Sequence, residues 1–150
     1  MISYAVEEWP EAMAEIMPMW TAHNAEIAAE HDKPLLDPDL GRYMALHQAG
    51  KLHVIVPRES GEVIGYLFAA VETHLNRRTT LCAFYDLYYV RPEHRRGWTG
   101  VHLFKEAERT LKARGVKRLN TGTKLWKDVG TLLERMGWQE TERLFTKVVS

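Results

Sequence analysis

From Leu81 to Gly115 the chain reads LCAFYDLYYVRPEHRRGWTGVHLFKEAERTLKARG, and no other stretch limits the possible folds so tightly. The first ten residues are rich in aromatic and branched side chains and predict a strand. Pro92 ends it. Arg95, Arg96, Gly97 and Gly100 fill the turn that follows. Val101, Phe104, Glu108 and Leu111, with Leu103 and Ala107 beside them, then recur at helical spacing and give one partly apolar face. Gly115 stops the helix, and VKRLNTG reads as another strand. A strand that feeds a helix and then a strand implies a parallel pair.

The turn has a chemical reading. A helix start presents unpaired backbone N–H groups and the positive end of the helix dipole, which together favour an anion, most often phosphate. Glycine lets the anion approach the backbone, and guanidinium grips phosphate with two bonds. Residues 95–100 are therefore a candidate pyrophosphate cradle. The alternative is a glycine turn with two solvated arginines. Other phosphate and metal signatures are absent: there is no G-x-x-x-x-G-K-[ST], no G-x-G-x-x-G after a strand, no H-E-x-x-H and no C-x-x-C. The seven histidines lack metal-ligand spacing, so no metal site is expected.

The remaining elements fall in order around this core. Residues 2–6 predict an edge strand. Pro10 opens a helix that Pro18 should end or kink, and MWTAHNAEIAAE continues it. Asp37 is the expected N-cap of a second helix, with Pro38 at its first position and Gly50 past its end. Residues 51–74 read as two strands about Ser60-Gly61, and NRRTT as the next turn. KDVGTLLERMGW predicts a short helix, and ERLFTKVVS a final strand. The expected fold is mixed α/β, in the order β-α-α-β-β-β-α-β-α-β, as a single domain over residues 1–150.

Charge and composition narrow the function. Net charge is zero, and no apolar run reaches the length of a membrane span, so neither nucleic acid nor a membrane is an expected partner. The N-terminus has no basic region before its apolar residues and does not read as a signal peptide. One cysteine, Cys82, excludes an internal disulfide framework and fits a reducing cytoplasm. The charge is uneven, however. Residues 1–40 hold nine acids against Lys33, while residues 91–118 hold nine bases against three acids. The plain reading is solvated faces; the sharper one is an acidic acceptor side and a basic anion-binding side.

YYVRPEHRR, the glycine turn, the helix VHLFKEAERTLKARG and the later LLERMGW resemble the GNAT family of acyl-CoA-dependent N-acetyltransferases, with matching element order over essentially the whole chain. FYDLYYVRPEHRRGWTG, TGTKLW and FTK resemble a branch found in phage genomes. The resemblance implies acetyl-CoA as cofactor, held between a splayed parallel strand pair. Leu87, Tyr88, Tyr89 and Val90 would take the pantetheine arm, and Arg95, Arg96, Gly97, Trp98, Thr99 and Gly100 the pyrophosphate. It implies an oxyanion donor at the backbone N–H of Tyr89 or Val90. Two departures stand out. Trp98 occupies the place of the loop's inner glycine, and Trp126, Val129 and Leu133 stand where asparagine, alanine and the thiolate-protonating tyrosine are often found.

Acetyl transfer to an amine requires that something take the amine's proton. Asp86 is the leading candidate, since a carboxylate inside an apolar strand is costly unless paired or functional, and burial would raise its pKa toward a base's working range. Strict alternation would put it on one face with Tyr88 and Val90. The competing reading is a structural Asp paired with Arg77 or Arg78. Glu72 and His74 are alternative bases, and Tyr85, Tyr88 and Tyr89 are candidate proton donors to the thiolate. Lys124, after the neighbouring strand, could meet a phosphate or the acceptor or be solvated, and solvation is the expectation. The acceptor is expected to be a small-molecule or protein amine, cationic because of the acidic first 40 residues, with Glu26, Glu30 and Asp32 steering it; a homodimer is left open. The alternative function is a non-catalytic binding module of the same fold.

Overall fold

The computed structural model describes residues 1–28 and 36–149. The chain runs through β1 (Ile2–Val6), α1 (Trp9–Ile27), α2 (Leu40–Gln48), β2 (Leu52–Glu59), the two-residue β3 (Glu62–Val63), β4 (Gly65–His74), β5 (Arg77–Val90), α3 (Thr99–Ala113), β6 (Arg118–Thr121) and α4 (Gly130–Arg135). One mixed sheet orders the strands β1-β2-β4-β5-β6, with β3 attached to β2. All pairs are antiparallel except β5 with β6.

Helices cover both sheet faces, and each face has its own core. On one side α1 buries Trp9, Ala12, Met13, Ile16, Met19, Trp20 and His23, a stripe set by the helical period. These pack on Val54, Val56, Phe68 and Tyr89. Burying each large side chain contributes about 1.5–3 kcal/mol. On the other side α3 places Leu103, Phe104, Ala107 and Leu111 against Ile55, Leu67, Ala83 and Tyr85, with Leu133 of α4 beside them. Gly65 sits where β4 and β5 come closest, since a Cβ there would overlap the Tyr89 carbonyl oxygen.

Four expectations change. α1 passes through Pro18 without a break; the ring lies on the exposed side while Ile16, Met19 and Trp20 anchor the flanking turns. The cap of α2 is Asp39, whose carboxylate accepts from the Arg42 amide at 2.9 Å, so Asp37 lies outside the helix. RRTT of the expected NRRTT turn joins β5, because the turn is made by Leu75-Asn76. The expected final strand is absent: residues 139–149 form no ladder, and Leu144, Phe145, Val148 and Val149 are exposed. Strand propensity is realised only where a partner strand and a covering face are supplied, and among the described residues none is supplied to this segment.

Candidate active site

The parallel ladder between β5 and β6 ends early. It pairs Cys82 to Tyr85 with Arg118 to Thr121, and the Thr121 hydroxyl closes it by donating to the Tyr85 carbonyl at 3.1 Å. From Asp86 to Val90 only β4 pairs with β5. The strands part at this point, and one edge of β5 faces a gap.

Asp86 marks the parting. Phe68 pairs with Leu87 while its neighbour Ala69 pairs with Tyr85, so Asp86 is the extra residue of a β-bulge. A bulge breaks alternation and re-aims a side chain. Asp86 therefore does not share a face with Tyr88 and Val90, as strict alternation suggested. Those two pack on the α3 side with Tyr85, whereas Leu87 and Tyr89 join the α1 core. The Asp86 side chain is exposed and makes no ion pair among the described residues, with Arg77, Arg78 or any other cation. Surrounding protein strips water from one side of its carboxyl and pushes the pKa up, while Lys124 pulls it part of the way back. Its charge also raises the pKa of Tyr43, which burial has already lifted, so the carboxylate looks toward the α1–α2 side.

The backbone of β5 divides its groups between β4 and the gap. The Arg91 amide donates to the Ile64 carbonyl at 2.8 Å. Alternation turns Leu87 and Tyr89 toward β4 as well, and the Tyr89 carbonyl indeed abuts Gly65. The amides of Tyr88 and Val90 then point into the gap. Of the two expected oxyanion donors, the geometry favours Val90 over Tyr89. The Tyr88 hydroxyl spans the opening and donates to the Gly122 carbonyl at 2.7 Å. Burial pushes its pKa up, so it holds its proton firmly.

The turn after β5 has two unlike arginines. Arg95 donates through Nε to the Val90 carbonyl and through Nη2 to Glu26, both at 2.7 Å, and lies over the Tyr89 ring. It braces the turn against α1 instead of standing free for phosphate as expected. Arg96 is exposed and has no acidic partner among the described residues. Gly97 adopts φ +90, a backbone conformation glycine adopts without strain. Gly100 lies in the first turn of α3 and faces open space. Trp98 precedes α3 without a side-chain cap and is 69% exposed, which leaves the first amides of α3 without helix partners.

The other candidates lie elsewhere. Glu72 pairs with Cys82, roughly 13 Å down the strand from Asp86 at about 3.3 Å per residue. It is bound by Lys51 at 2.8 Å, which holds its carboxyl below the ordinary range and makes it a poor base. His74 is engaged with Asn76. Tyr85 is buried, its hydroxyl turned to the Phe104 carbonyl at 3.4 Å, and Tyr89 stacks on His23 in the α1 core. Glu26 is no free steering acid, since it carries Arg95 at 2.7 Å and Lys127 at 3.8 Å; Glu7 and Glu15 are spent on Arg58. Glu30 and Asp32 lie outside the described residues. Sequence reasoning missed Tyr43 and Lys127 as neighbours of the site; Lys124, expected to be solvated, is exposed and near enough to lower the Asp86 pKa.

A strand pair that opens at a bulge, followed by a glycine turn and a helix start, defines an acyl-CoA-dependent transferase fold. The acetyltransferase (GNAT) family pattern matches residues 6–138, and the chain belongs to that family. Similar solved structures agree on the fold. One is a predicted acetyltransferase from Clostridium acetobutylicum with acetyl-CoA, 14% identical, with TM-score 0.74 over 99% of this chain and 96% of that one. Another is an aminoglycoside acetyltransferase from an uncultured soil metagenomic sample in complex with sisomicin, 14% identical, with TM-score 0.74 over 100% and 96%. A third is glucosamine-6-phosphate N-acetyltransferase from Arabidopsis thaliana, 11% identical, with TM-score 0.75 over 100% and 99%. No curated protein is a significant match to the sequence. The family's acetyl donor is acetyl-CoA, and the residues present fit it. Open space over Gly97 and Gly100, unpaired amides at the start of α3, the free Arg96 and the gap-facing amides of Tyr88 and Val90 are what a pyrophosphate and an amide-bearing arm require. Among the described residues no helix is long and apolar enough to cross a membrane.

Proposed function

We propose that the protein transfers an acetyl group from acetyl-CoA directly to a primary amine, with Asp86 as the base. The observation that carries this reading is an unpaired carboxylate, its pKa raised, on a bulge at the point where β5 and β6 part. Acetyl-CoA supplies an acetyl group activated as a thioester. The amides of Tyr88 and Val90 hold its arm, and residues 96–100 hold its pyrophosphate. Arg95 fixes the turn from behind. Asp86 takes a proton from the incoming ammonium, directly or through one water, and so frees the nitrogen lone pair. A thiol with a pKa near about 8.5 leaves without a strong acid. That suits a site where Leu133 is buried in the place of the family's tyrosine. To return a proton to the thiolate, the Tyr88 hydroxyl must first leave the Gly122 carbonyl, to which it donates at 2.7 Å.

The acceptor in this reading is cationic at neutral pH, because the carboxylate that receives it is not neutralised by a salt bridge. The sisomicin and glucosamine-6-phosphate relatives are consistent with an amino sugar, although identities of 11–14% carry fold alone. The free Cys82 is consistent with a reducing cytoplasm. Trp98 in the loop and Leu133 in place of tyrosine favour the second reading, a non-catalytic binding module. Thiol release from acetyl-CoA across a panel of amino sugars, polyamines and lysine peptides separates the two. Amine-dependent release is expected. Tight acetyl-CoA binding with no release above the amine-free rate supports the binding module.

A further inference from the structure

β5 carries an aromatic side chain that the fold leaves uncovered. Phe84 lies where β5 is paired on both sides, with Ala70 of β4 and Asn120 of β6, yet it is 45% exposed. Ala83 and Tyr85 belong to the α3 core, so Phe84 faces the α1–α2 side. Both of its cross-strand neighbours are short, which leaves the ring accessible. Asp86 opens toward the same side, where its charge acts on Tyr43 of α2.

The other end of this face holds a cation. Leu119 packs in the α3 core, so Asn120 and Arg118 alternate to the α1–α2 side. Arg118 pairs with Cys82, is exposed and makes no ion pair among the described residues. Glu72, across Cys82 on β4, is already held by Lys51, and Glu108 belongs to α3 on the opposite face. A carboxylate, an aromatic ring and a guanidinium therefore stand in a row. Four residues along β5 and one strand across separate Asp86 from Arg118, about 14 Å between backbones, with Phe84 midway.

We propose that this row seats the acceptor, and that the acceptor is a primary amine whose flat apolar body rests on Phe84 and whose far end carries a carboxylate held by Arg118. The inference rests on the acetyl-transfer reading for the amine's place at Asp86, and it specifies the rest of the molecule. Guanidinium grips a carboxylate with two parallel bonds. One free cation balances one negative charge, whereas a phosphate brings close to two. A second positive group on the acceptor would be repelled by Lys124 beside Asp86 or by Arg118 at the far end. The Phe84 ring offers a face on which a planar body stacks. That body lies over the paired part of β5 and β6 and leaves the gap beyond Asp86 free for the arm of acetyl-CoA.

Three para-substituted benzylamines test it: 4-(aminomethyl)benzoate, 4-methylbenzylamine and 1,4-bis(aminomethyl)benzene. They share the amine and the ring and differ in the charge at the far end. Binding is read by calorimetry with coenzyme A present, and transfer by thiol release from acetyl-CoA. The carboxylate compound is expected to exceed the neutral one by about 10-fold or more in affinity and in kcat/KM, the scale of one charge-assisted contact, and the diamine to be poorest. Arg118→Gln should bring the carboxylate compound down to the neutral one, and Arg118→Glu should reverse the order in favour of the diamine. Phe84→Ala should raise KM for all three with little change in kcat. The thermal shift with acetyl-CoA checks that each variant is folded. Binding in the expected order without thiol release would support the seat and overturn the acetyl-transfer reading instead. No difference among the three amines, a wild-type preference for the diamine, or an order unchanged in Arg118→Glu would overturn the proposal.

Discussion

Asp86, proposed as the base, also weighs on stability, and one substitution reads both effects. Its folded pKa lies above the ordinary aspartate value, so the folded state prefers the protonated form, and ionisation at neutral pH costs stability. Asp86→Asn should therefore raise Tm at neutral pH. The gain should vanish as pH falls through the folded pKa, where the wild-type carboxyl is protonated anyway. The same change should lower kcat by about 100-fold or more, the scale of general-base catalysis. Differential scanning fluorimetry and a thiol-release assay on one preparation check both. Arg95 and Arg96 should separate as cleanly. Arg95→Ala removes the bonds to Val90 and Glu26 and should lower Tm, with Glu26→Gln reproducing part of the loss. Arg96→Ala should leave Tm unchanged and weaken acetyl-CoA binding, read by calorimetry. The sequence marked Asp86 because a carboxylate inside LCAFYDLYYV is costly. It did not reveal the bulge, because a bulge depends on how many residues the partner strand sets opposite, here Phe68 and Ala69.

At the scale of elements, the turn from β5 into α3 was the most legible part of the chain. Proline, arginines and glycines in that order leave few alternatives to a strand end and a helix start. What Arg95 touches was not legible, since Glu26 is 69 residues away and only the packing of α1 on β5 brings them together. The last segment shows the converse: its local pattern is that of a strand, but a strand exists only against an edge. Gly100 offers a test of the turn. A Cβ there meets nothing within 4 Å, so Gly100→Val should fold, with the helix-propensity difference favouring valine by a few tenths of a kcal/mol. It should also abolish the rise in Tm that wild type shows with saturating acetyl-CoA. A full thermal shift in Gly100→Val would place the pyrophosphate elsewhere.

Across the whole molecule, two buried histidines set how stability responds to acid. His23 bonds Tyr66 at 2.6 Å under α1, and burial pushes its pKa down to about 4. His53 lies between Thr110 and Arg114 on the other face and is also lowered to about 4. Both are neutral in the folded state, whereas the unfolded chain takes up protons below about pH 6.5. Stability should therefore be full above about pH 6.5 and fall as pH drops toward 4, by up to about 1.4 kcal/mol per unit for each histidine. Urea unfolding between pH 7 and 4.5 measures the slope, and His23→Gln/His53→Gln should flatten it. The most direct test of catalysis by Asp86 is the pH dependence of kcat/KM for amine acetylation in wild type and Asp86→Asn. The wild-type profile should rise through a group titrating above the ordinary aspartate range, and Asp86→Asn should lose that limb together with about two orders of magnitude of rate at unchanged acetyl-CoA affinity. An Asn variant with the wild-type profile and rate would show that the proton goes elsewhere.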